Sequence, residues 1–393
     1  MTTVTIRPRL LAGAVTPPPS KSMAHRCLIA AALAGGAGSI HNLAGSQDMI
    51  ATRGCLAALN DGGEGLPLLD CGESGSTLRF LIPVALALRG GGRFTGHGRL
   101  MERPQKPYFD LFEEKGIAYE QNDDVLTVQG TLTAGEYRLP GNVSSQFITG
   151  LLYALPLLAG DSQIVLTMPL ESKGYVDMTL EVLSLYGIRV ENRDYERFLV
   201  PGGQQYLNRE MTVEADWSQA AFWYAANFLN SQVEIRGLNP KSTQGDRVVA
   251  SCCWRLARPG EVELDVSQCP DLVPPLAAMA AVRSGTTHIV NAARLRIKES
   301  DRLATVTATL NALGARVEEH PDSLTIHGLD RLKGGVSVDC CNDHRIAMMA
   351  AIAATRCEGP VTLLGADCVK KSYPNFWDHY RMLGGDMDVL VSG

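Results

Sequence analysis

The sequence predicts an α/β fold turned inside out, with short strand hairpins outside, apolar helices within, and the pattern repeated about six times. Two observations carry this expectation. The first is a hairpin pattern led by glycine: Gly116-Ile-Ala-Tyr-Glu runs on to Leu126-Thr-Val, Gly187-Ile-Arg-Val-Glu to Phe198-Leu-Val, and Gly314-Ala-Arg-Val-Glu to Leu324-Thr-Ile. Each reads as a helix end, a glycine cap, a strand, a polar turn and a second alternating strand. Another copy starts at Gly384-Gly-Asp-Met-Asp-Val-Leu-Val, a worn one lies near Leu59 to Leu69, and a shortened one occupies Trp254 to Val266. Gly187 follows Gly116 by 71 residues, Gly314 follows Gly187 by 127, and Gly384 follows Gly314 by 70. Units of about 65 residues, six in number, therefore account for a chain of 393 residues.

The second observation is the character of the segments between hairpins. Helices are expected at Met23–Leu33, Ser76–Leu88, Ser144–Leu157, Tyr175–Leu185, Trp217–Phe228, Asp271–Val282, Glu299–Leu313, His344–Thr355 and Pro374–Leu383. Several are apolar on every side, as in Ile346-Ala-Met-Met-Ala-Ala-Ile-Ala-Ala, and such helices are buried within a domain.

Composition narrows the function. Apolar residues make up 45% of the chain and charged ones 20%, enough for real cores, and length suggests two or three domains. A net charge of −6 argues against nucleic-acid or polybasic membrane binding. Apolar runs such as Phe80 to Leu88 are far short of the ~20 residues a membrane span needs. Arg7, Arg9, Lys21 and Arg26 are interleaved with prolines near the start, so no leader segment is expected. The ten cysteines include Cys252-Cys253 and Cys340-Cys341 but no Cys-x-x-Cys, which suits reduced thiols in a cytoplasmic protein.

The helix starts carry a second regularity. Ser20-Lys21-Ser22, Glu73-Ser74-Gly75-Ser76, Ser144-Ser145-Gln146, Ser172-Lys173-Gly174, Lys298-Glu299-Ser300-Asp301-Arg302 and Asn342-Asp343-His344-Arg345 each open a helix. Serine and aspartate there are ordinary caps when taken singly. Lys21, Lys298, Arg302 and Arg345 are different, because a cation at the positive end of a helix dipole is unfavourable unless an anion compensates it. Free amides with fixed cations make an anion site, so these starts, converging from two domains, predict a cleft for small, multiply charged ligands. Neither a Walker loop, nor a dinucleotide fingerprint (Gly35-Gly36-Ala37-Gly38 follows a helix), nor a Gly-x-Ser-x-Gly elbow is present. The eight histidines do not cluster at metal spacing; His25 and His344 read as structural, and no metal or cofactor is expected. Glu299 and Asp271 remain as acid–base candidates, with capping and surface pairing as their ordinary explanation.

Nine motifs in order then carry a resemblance. They are Pro19-Ser-Lys-Ser-Met-Ala-His-Arg26, Glu73-Ser-Gly-Ser-Thr-Leu-Arg79, Glu102-Arg103-Pro104, Val143-Ser-Ser-Gln-Phe147, Ser172-Lys-Gly-Tyr-Val-Asp177, Pro270-Asp271, Arg296-Ile-Lys-Glu-Ser-Asp-Arg302, Asn342-Asp-His-Arg345 and Lys371-Ser-Tyr-Pro374. Over essentially the whole chain the sequence resembles the enolpyruvylshikimate-phosphate synthase (3-phosphoshikimate 1-carboxyvinyltransferase) family. The resemblance implies a two-globule inside-out barrel of six βαβαββ-like repeats with the active site in the interdomain cleft. The first globule would hold residues 1–16 and 216–393 and the second 17–215, with crossings near Pro17–Pro19 and Glu214–Asp216.

It also implies the reaction of shikimate 3-phosphate with phosphoenolpyruvate, in cytoplasm, by a monomer that needs no metal, cofactor, nucleic acid or membrane. Asp271 would take the hydroxyl proton, while Glu299 and Lys21 manage protons at the pyruvyl carbon and the leaving phosphate. Lys21, Ser22, Arg26, Ser144, Ser145, Gln146, Ser172, Asp271 and Lys298 would contact shikimate 3-phosphate. Lys21, Gly75, Arg103, Gln146, Arg302, Arg345 and Lys371 would surround phosphoenolpyruvate, whose carboxylate and phosphate suit guanidinium forks. Two positions depart from the family pattern: Glu73 and Arg294 stand where asparagine is common. A carboxylate at Glu73 is expected to weaken binding of phosphoenolpyruvate and of the phosphonate glyphosate. The alternatives are a transferase acting on a UDP-sugar and a non-catalytic paralogue that only binds phosphorylated metabolites; Ser22 and Arg26 suit a ligand without a nucleotide sugar.

Overall fold

The computed structural model describes residues 2–36, 39–122 and 124–391, and the chain divides into two units. An inserted unit comprises Lys21–Val213, and a split unit comprises Met1–Ser20 with Glu214–Gly393. Pro17 to Ser20, Glu214 and Ala215 thus fall in the split unit rather than the second globule. They are tied there by Ser20 N donating to the Glu214 carbonyl (2.7 Å), Asp216 N donating to the Pro18 carbonyl (2.9 Å) and a bridge between Pro19 and Ala215. Ala37 and Gly38 of the glycine run lie outside the described residues.

The inserted unit contains helices α1 (Lys21–Leu33), α2 (Gln47–Asn60), α3 (Gly75–Arg89), α4 (Lys106–Lys115), α5 (Ser145–Ala154) and α6 (Lys173–Leu185). One sheet has the order Leu68–Asp70, Gly91–Thr95, Val125–Gln129, Ala118–Asn122, its first pair parallel and the others antiparallel. A second repeats that plan with Glu136–Leu139, Ser162–Leu166, Arg197–Val200 and Glu191–Arg193. The third has only the parallel pair Ile40–His41 and Met211–Thr212.

The split unit carries α7 (Trp217–Phe228), α8 (Val249–Leu256), α9 (Val273–Ala281), α10 (Arg302–Ala312), α11 (His344–Ala354) and α12 (Phe376–Met382). Val262–Asp265, Thr286–Val290, Leu324–His327 and Arg316–Glu319 form one four-stranded sheet of the same plan. Another consists of Val336–Asp339, Val361–Leu364, Thr2–Arg7 and Asp386–Val391, so the strand that completes the C-terminal hairpin comes from the N-terminus. Ala12–Val15 and Gln232–Ile235 make a parallel pair.

The worn copy near Leu59 and the shortened copy near Trp254 are therefore the same copy of each unit. Both keep a parallel strand pair and two helices, and both lack the closing hairpin. Helices that follow the first strand of a copy lie inside: every residue of α9 and α11 is buried, as are nine of the ten in α5. Those after the second strand lie half out, with four of ten buried in α4 and two of eight in α8. This explains why α2, α4 and α8 escaped the sequence pattern, since none has an apolar run all round. Alternation of buried with exposed residues along Val262–Asp265, and of buried with half-buried ones along Leu324–His327, puts one sheet face on the core and turns the other toward solvent.

One packing detail prepares the site. Pro83 lies inside α3 and has no N–H for the carbonyl of Arg79, four residues earlier. Tyr108 Oη donates to that carbonyl at 2.8 Å, and Gly150 of α5 leaves the space in which the two helices meet.

Candidate active site

In the inserted unit, Lys21 is the first residue of α1, and its ammonium binds the Asp48 carboxylate of α2 at 2.8 Å. Arg26, one turn further along α1, is 2% exposed and is held by oxygens that carry no charge. Its Nε donates to Thr179 Oγ1 (2.9 Å), Nη1 to the Ser22 carbonyl (2.7 Å) and Nη2 to the Tyr175 carbonyl (2.7 Å). Ser22 thus contributes its carbonyl to Arg26, and α1 is locked to α6. Ser144 caps α5, its hydroxyl accepting from Gln146 N, and Ser145 is the buried first residue of that helix. Ser172 precedes α6 at φ 57° and ψ 47°, a left-handed conformation rare for serine, and its side chain does not cap the helix.

Arg79 is buried and holds the predicted Gln146 together with Pro104 and Gln105, which follow Arg103. Its Nη1 donates to Gln146 Oε1 (2.8 Å), Nη2 to the Pro104 carbonyl (2.9 Å) and Nε to Gln105 Oε1 (3.4 Å). Gln146 Nε2 in turn donates to Ser76 Oγ at 2.9 Å. Ser74 caps α3, Gly75 is its first residue, and Glu73 just before them is half-buried. The Arg103 guanidinium lies over Gly75: a methyl group there would stand 2.6 Å from Nη1.

In the split unit, the charges are paired much more fully. Arg302 is 1% exposed. It donates from Nε to Asp343 Oδ2 (2.8 Å), from Nη1 to Asp271 Oδ1 (3.0 Å) and from Nη2 to Glu299 Oε2 (2.7 Å). Arg345 Nη2 reaches Asp271 Oδ2 (3.0 Å) and Ser218 Oγ (2.9 Å), and Lys298 Nζ reaches Asp271 Oδ1 (3.3 Å). Lys371 Nζ donates to the Asn342 carbonyl at 2.6 Å, where Cys341 and Asn342 both take positive φ. Asp343 is fully buried, caps α11 by accepting from Arg345 N, and also accepts from Ser300 Oγ at 2.9 Å.

The electrostatics follow from these contacts. Burial works against the Arg302 charge, but Asp343, Glu299 and Asp271 outweigh it and hold the guanidinium more firmly protonated than usual. Burial likewise acts to raise Asp343, yet Arg302 more than offsets it and keeps that carboxyl below its ordinary range. At Lys298 burial wins, and the ammonium lies below its usual range although Asp271 opposes the shift.

Two expectations about helix starts need correcting. Lys298 and Glu299 do not open a helix; they lie between a 3₁₀ turn, Ala293–Ile297, and α10, which starts at Arg302 because the Asp301 side chain caps it by accepting from Ala304 N. Asp271 sits in a 3₁₀ turn, Pro270–Leu272, that leads into α9. Arg294, one of the two departures, donates from Nη2 to the Ser267 carbonyl at 2.5 Å. Sequence reasoning gave no role to Asp48, Arg79, Ser218 or Asp343. Arg79 and Asp343 lie within the motifs, whereas Asp48 and Ser218 have no local signal because their partners are distant in sequence. Among the described residues no group of three or more His, Cys, Asp or Glu is placed to hold a metal ion. No helix of the described residues is long and apolar enough to cross a membrane.

Fixed cations at helix starts, set among buried carboxylates on a repeated fold, are what an enzyme for small polyanions requires. The family description of EPSP synthase (3-phosphoshikimate 1-carboxyvinyltransferase) matches residues 6–380. The 3-phosphoshikimate 1-carboxyvinyltransferase of Clostridium kluyveri is 46% identical to this chain over 99% of each, and that of Clostridium acetobutylicum 45% identical over 98% of each. A 2.37 Å structure of EPSP synthase from Acinetobacter baumannii shares the fold, with a TM-score of 0.78 at 22% identity over 100% of both chains. The chain belongs to the EPSP synthase family.

Proposed function

We infer that this protein transfers the enolpyruvyl group of phosphoenolpyruvate to shikimate 3-phosphate and releases phosphate, a step of aromatic amino-acid biosynthesis. A hydroxyl of shikimate 3-phosphate loses its proton and bonds to the enol carbon, while the methylene gains a proton and becomes a methyl group. The tetrahedral adduct then expels phosphate, and the methyl group returns a proton to restore the enol. Asp271 takes the hydroxyl proton, and Glu299 with Lys21 serves the carbon and the leaving phosphate. Lys21, Ser22, Arg26, Ser144, Ser145, Gln146 and Ser172, with Asp271 and Lys298, hold shikimate 3-phosphate. Gly75, Arg103, Arg302, Arg345 and Lys371, together with Lys21 and Gln146, take phosphoenolpyruvate.

The observation that carries this reading is the array around Arg302. Asp271 and Glu299 are both hydrogen-bonded to one buried guanidinium, with Lys298 and Arg345 also on Asp271, so two carboxylates are fixed beside three cations. Positioned carboxylates of this kind are what general acid–base work needs. The test is phosphate release by EDTA-treated protein given both substrates. Release that requires both supports the reading. Release only with a UDP-sugar acceptor, or only after a divalent metal is restored, would overturn it.

A further inference from the structure

A chain of polar groups, none of them assigned a ligand contact above, runs through the core of the inserted unit. His25, Thr52 and Thr77 are 0% exposed and Ser74 is 1% exposed. Thr52 Oγ1 lies 2.8 Å from His25 Nδ1, 2.7 Å from Thr77 Oγ1 and 2.9 Å from the Asp48 carbonyl oxygen. Thr77 Oγ1 donates to Ser74 Oγ at 2.8 Å, and Ser74 Oγ also accepts from Thr77 N. The one hydroxyl proton of Thr52 is shared between the Asp48 carbonyl of its own helix and Thr77 Oγ1, while Thr77 donates to Ser74 and His25 in its Nδ1–H form donates to Thr52. Burial, with Lys21 and Arg26 nearby, holds His25 well below its usual range, so it stays neutral in this chain.

The ends of this chain are informative. His25 lies one turn after Lys21 on α1, and Thr52 one turn after Asp48 on α2, whose carboxylate binds the Lys21 ammonium. Ser74 caps α3, whose first residue is Gly75. Four polar groups in an apolar core carry a desolvation cost that packed hydrocarbon would avoid, and His25 Nε2 is buried without a hydrogen-bond partner, so this network specifies geometry more than it adds stability. We propose that Thr52 is a positioning residue: one buried hydroxyl locks the N-terminal halves of α1, α2 and α3 together, and so fixes Lys21 and the Gly75 turn where phosphoenolpyruvate is bound. This rests on the site reading given above.

The test is steady-state kinetics with each substrate varied, alongside thermal melting. Thr52→Val should raise the KM for phosphoenolpyruvate about tenfold, the scale of one hydrogen bond with its partners left unpaired. The KM for shikimate 3-phosphate should move less than about threefold, because that ligand does not use the Gly75 turn and shares only Lys21 with the disturbed region, and Thr52→Ser, which keeps the hydroxyl, should restore the wild-type value. Thr77→Val cuts the same chain at the next link, so it should have the same selective effect even if Thr52→Val folds poorly. The double variant should cost no more than either single one. A lowered melting temperature with both KM values unchanged, equal shifts for both substrates, or additive effects would overturn the proposal. Lys21→Ala separates the two levels. If it impairs turnover while Thr52→Val is silent, only this inference falls; if Lys21→Ala is itself silent, the site reading falls and takes this inference with it.

Discussion

The two units solve the problem of burying cations in different ways. In the inserted unit Arg26 and Arg79 are held by carbonyls, hydroxyls and amides, all neutral acceptors. The three bonds of Arg26 go to uncharged oxygens, which leaves its charge able to attract phosphate. In the split unit Arg302 faces three carboxylates and Arg345 one, so charge is balanced within the protein. Balanced groups hold one another in place and carry protons, which suits chemistry more than capture. One fold plan thus supports two uses, according to whether the acceptors around a buried guanidinium are dipoles or anions.

Three experiments break or sharpen this contrast. The largest effect is expected at Asp343. Asp343→Ala leaves Arg302 with a missing partner in the core, and removing one member of a buried pair typically costs about 3–5 kcal/mol. Urea unfolding should show that loss; a change under about 1 kcal/mol would mean that Asp271 and Glu299 suffice to hold Arg302. Next come Asp271→Ala and Glu299→Ala. Each should lower kcat by ~10²-fold or more while changing KM much less, as expected for a positioned acid or base. A raised KM at unchanged kcat would make them simple ligand contacts.

The smallest effect is a pH dependence on the inserted side. His25 is kept neutral in the folded chain but can take a proton when unfolded. The unfolded state then binds more protons, so stability is complete above the ordinary histidine value near ~6.5 and is lost as pH falls below it, by up to about 1.4 kcal/mol per pH unit. Melting curves from pH 8 to pH 5 should decline less for His25→Asn than for the wild type. Parallel curves would show that His25 does not titrate on unfolding.

The repeat was legible because its hairpins begin at glycines that the chain needs. Gly116, Gly187 and Gly314 all adopt positive φ, at 66°, 80° and 95°, directly after a helix. The all-apolar helices were legible for the same kind of reason: α11 buries all its residues, so no polar face interrupts the pattern. What escaped was whatever depends on a distant partner. α8 is short and buries only Val249 and Leu256, and Asp343 meets Arg302 across 41 residues of sequence. Capping decided the rest. The sequence places Lys298 and Glu299 on a helix, but Asp301 accepts from Ala304 N and starts the helix at Arg302, leaving both residues on the approaching loop. For the candidate site, the sequence motifs named most of the cations and serines along with Asp271, Glu299 and Gln146, while Asp48, Arg79, Ser218 and Asp343, which orient them, came only from three dimensions.

The strand exchange at the chain ends bears on how the molecule is made. Thr2–Arg7 lies between Val361–Leu364 and Asp386–Val391 and pairs with both, so once made on the ribosome this strand has no neighbour in its sheet until residues 361–391 follow. At about 5–20 residues per second that wait is on the order of 20–70 s. Lys21–Val213 is continuous in sequence and has all its strand partners within itself, so it can assemble meanwhile. Synthesis therefore finishes one unit early and keeps the other open until its two ends meet.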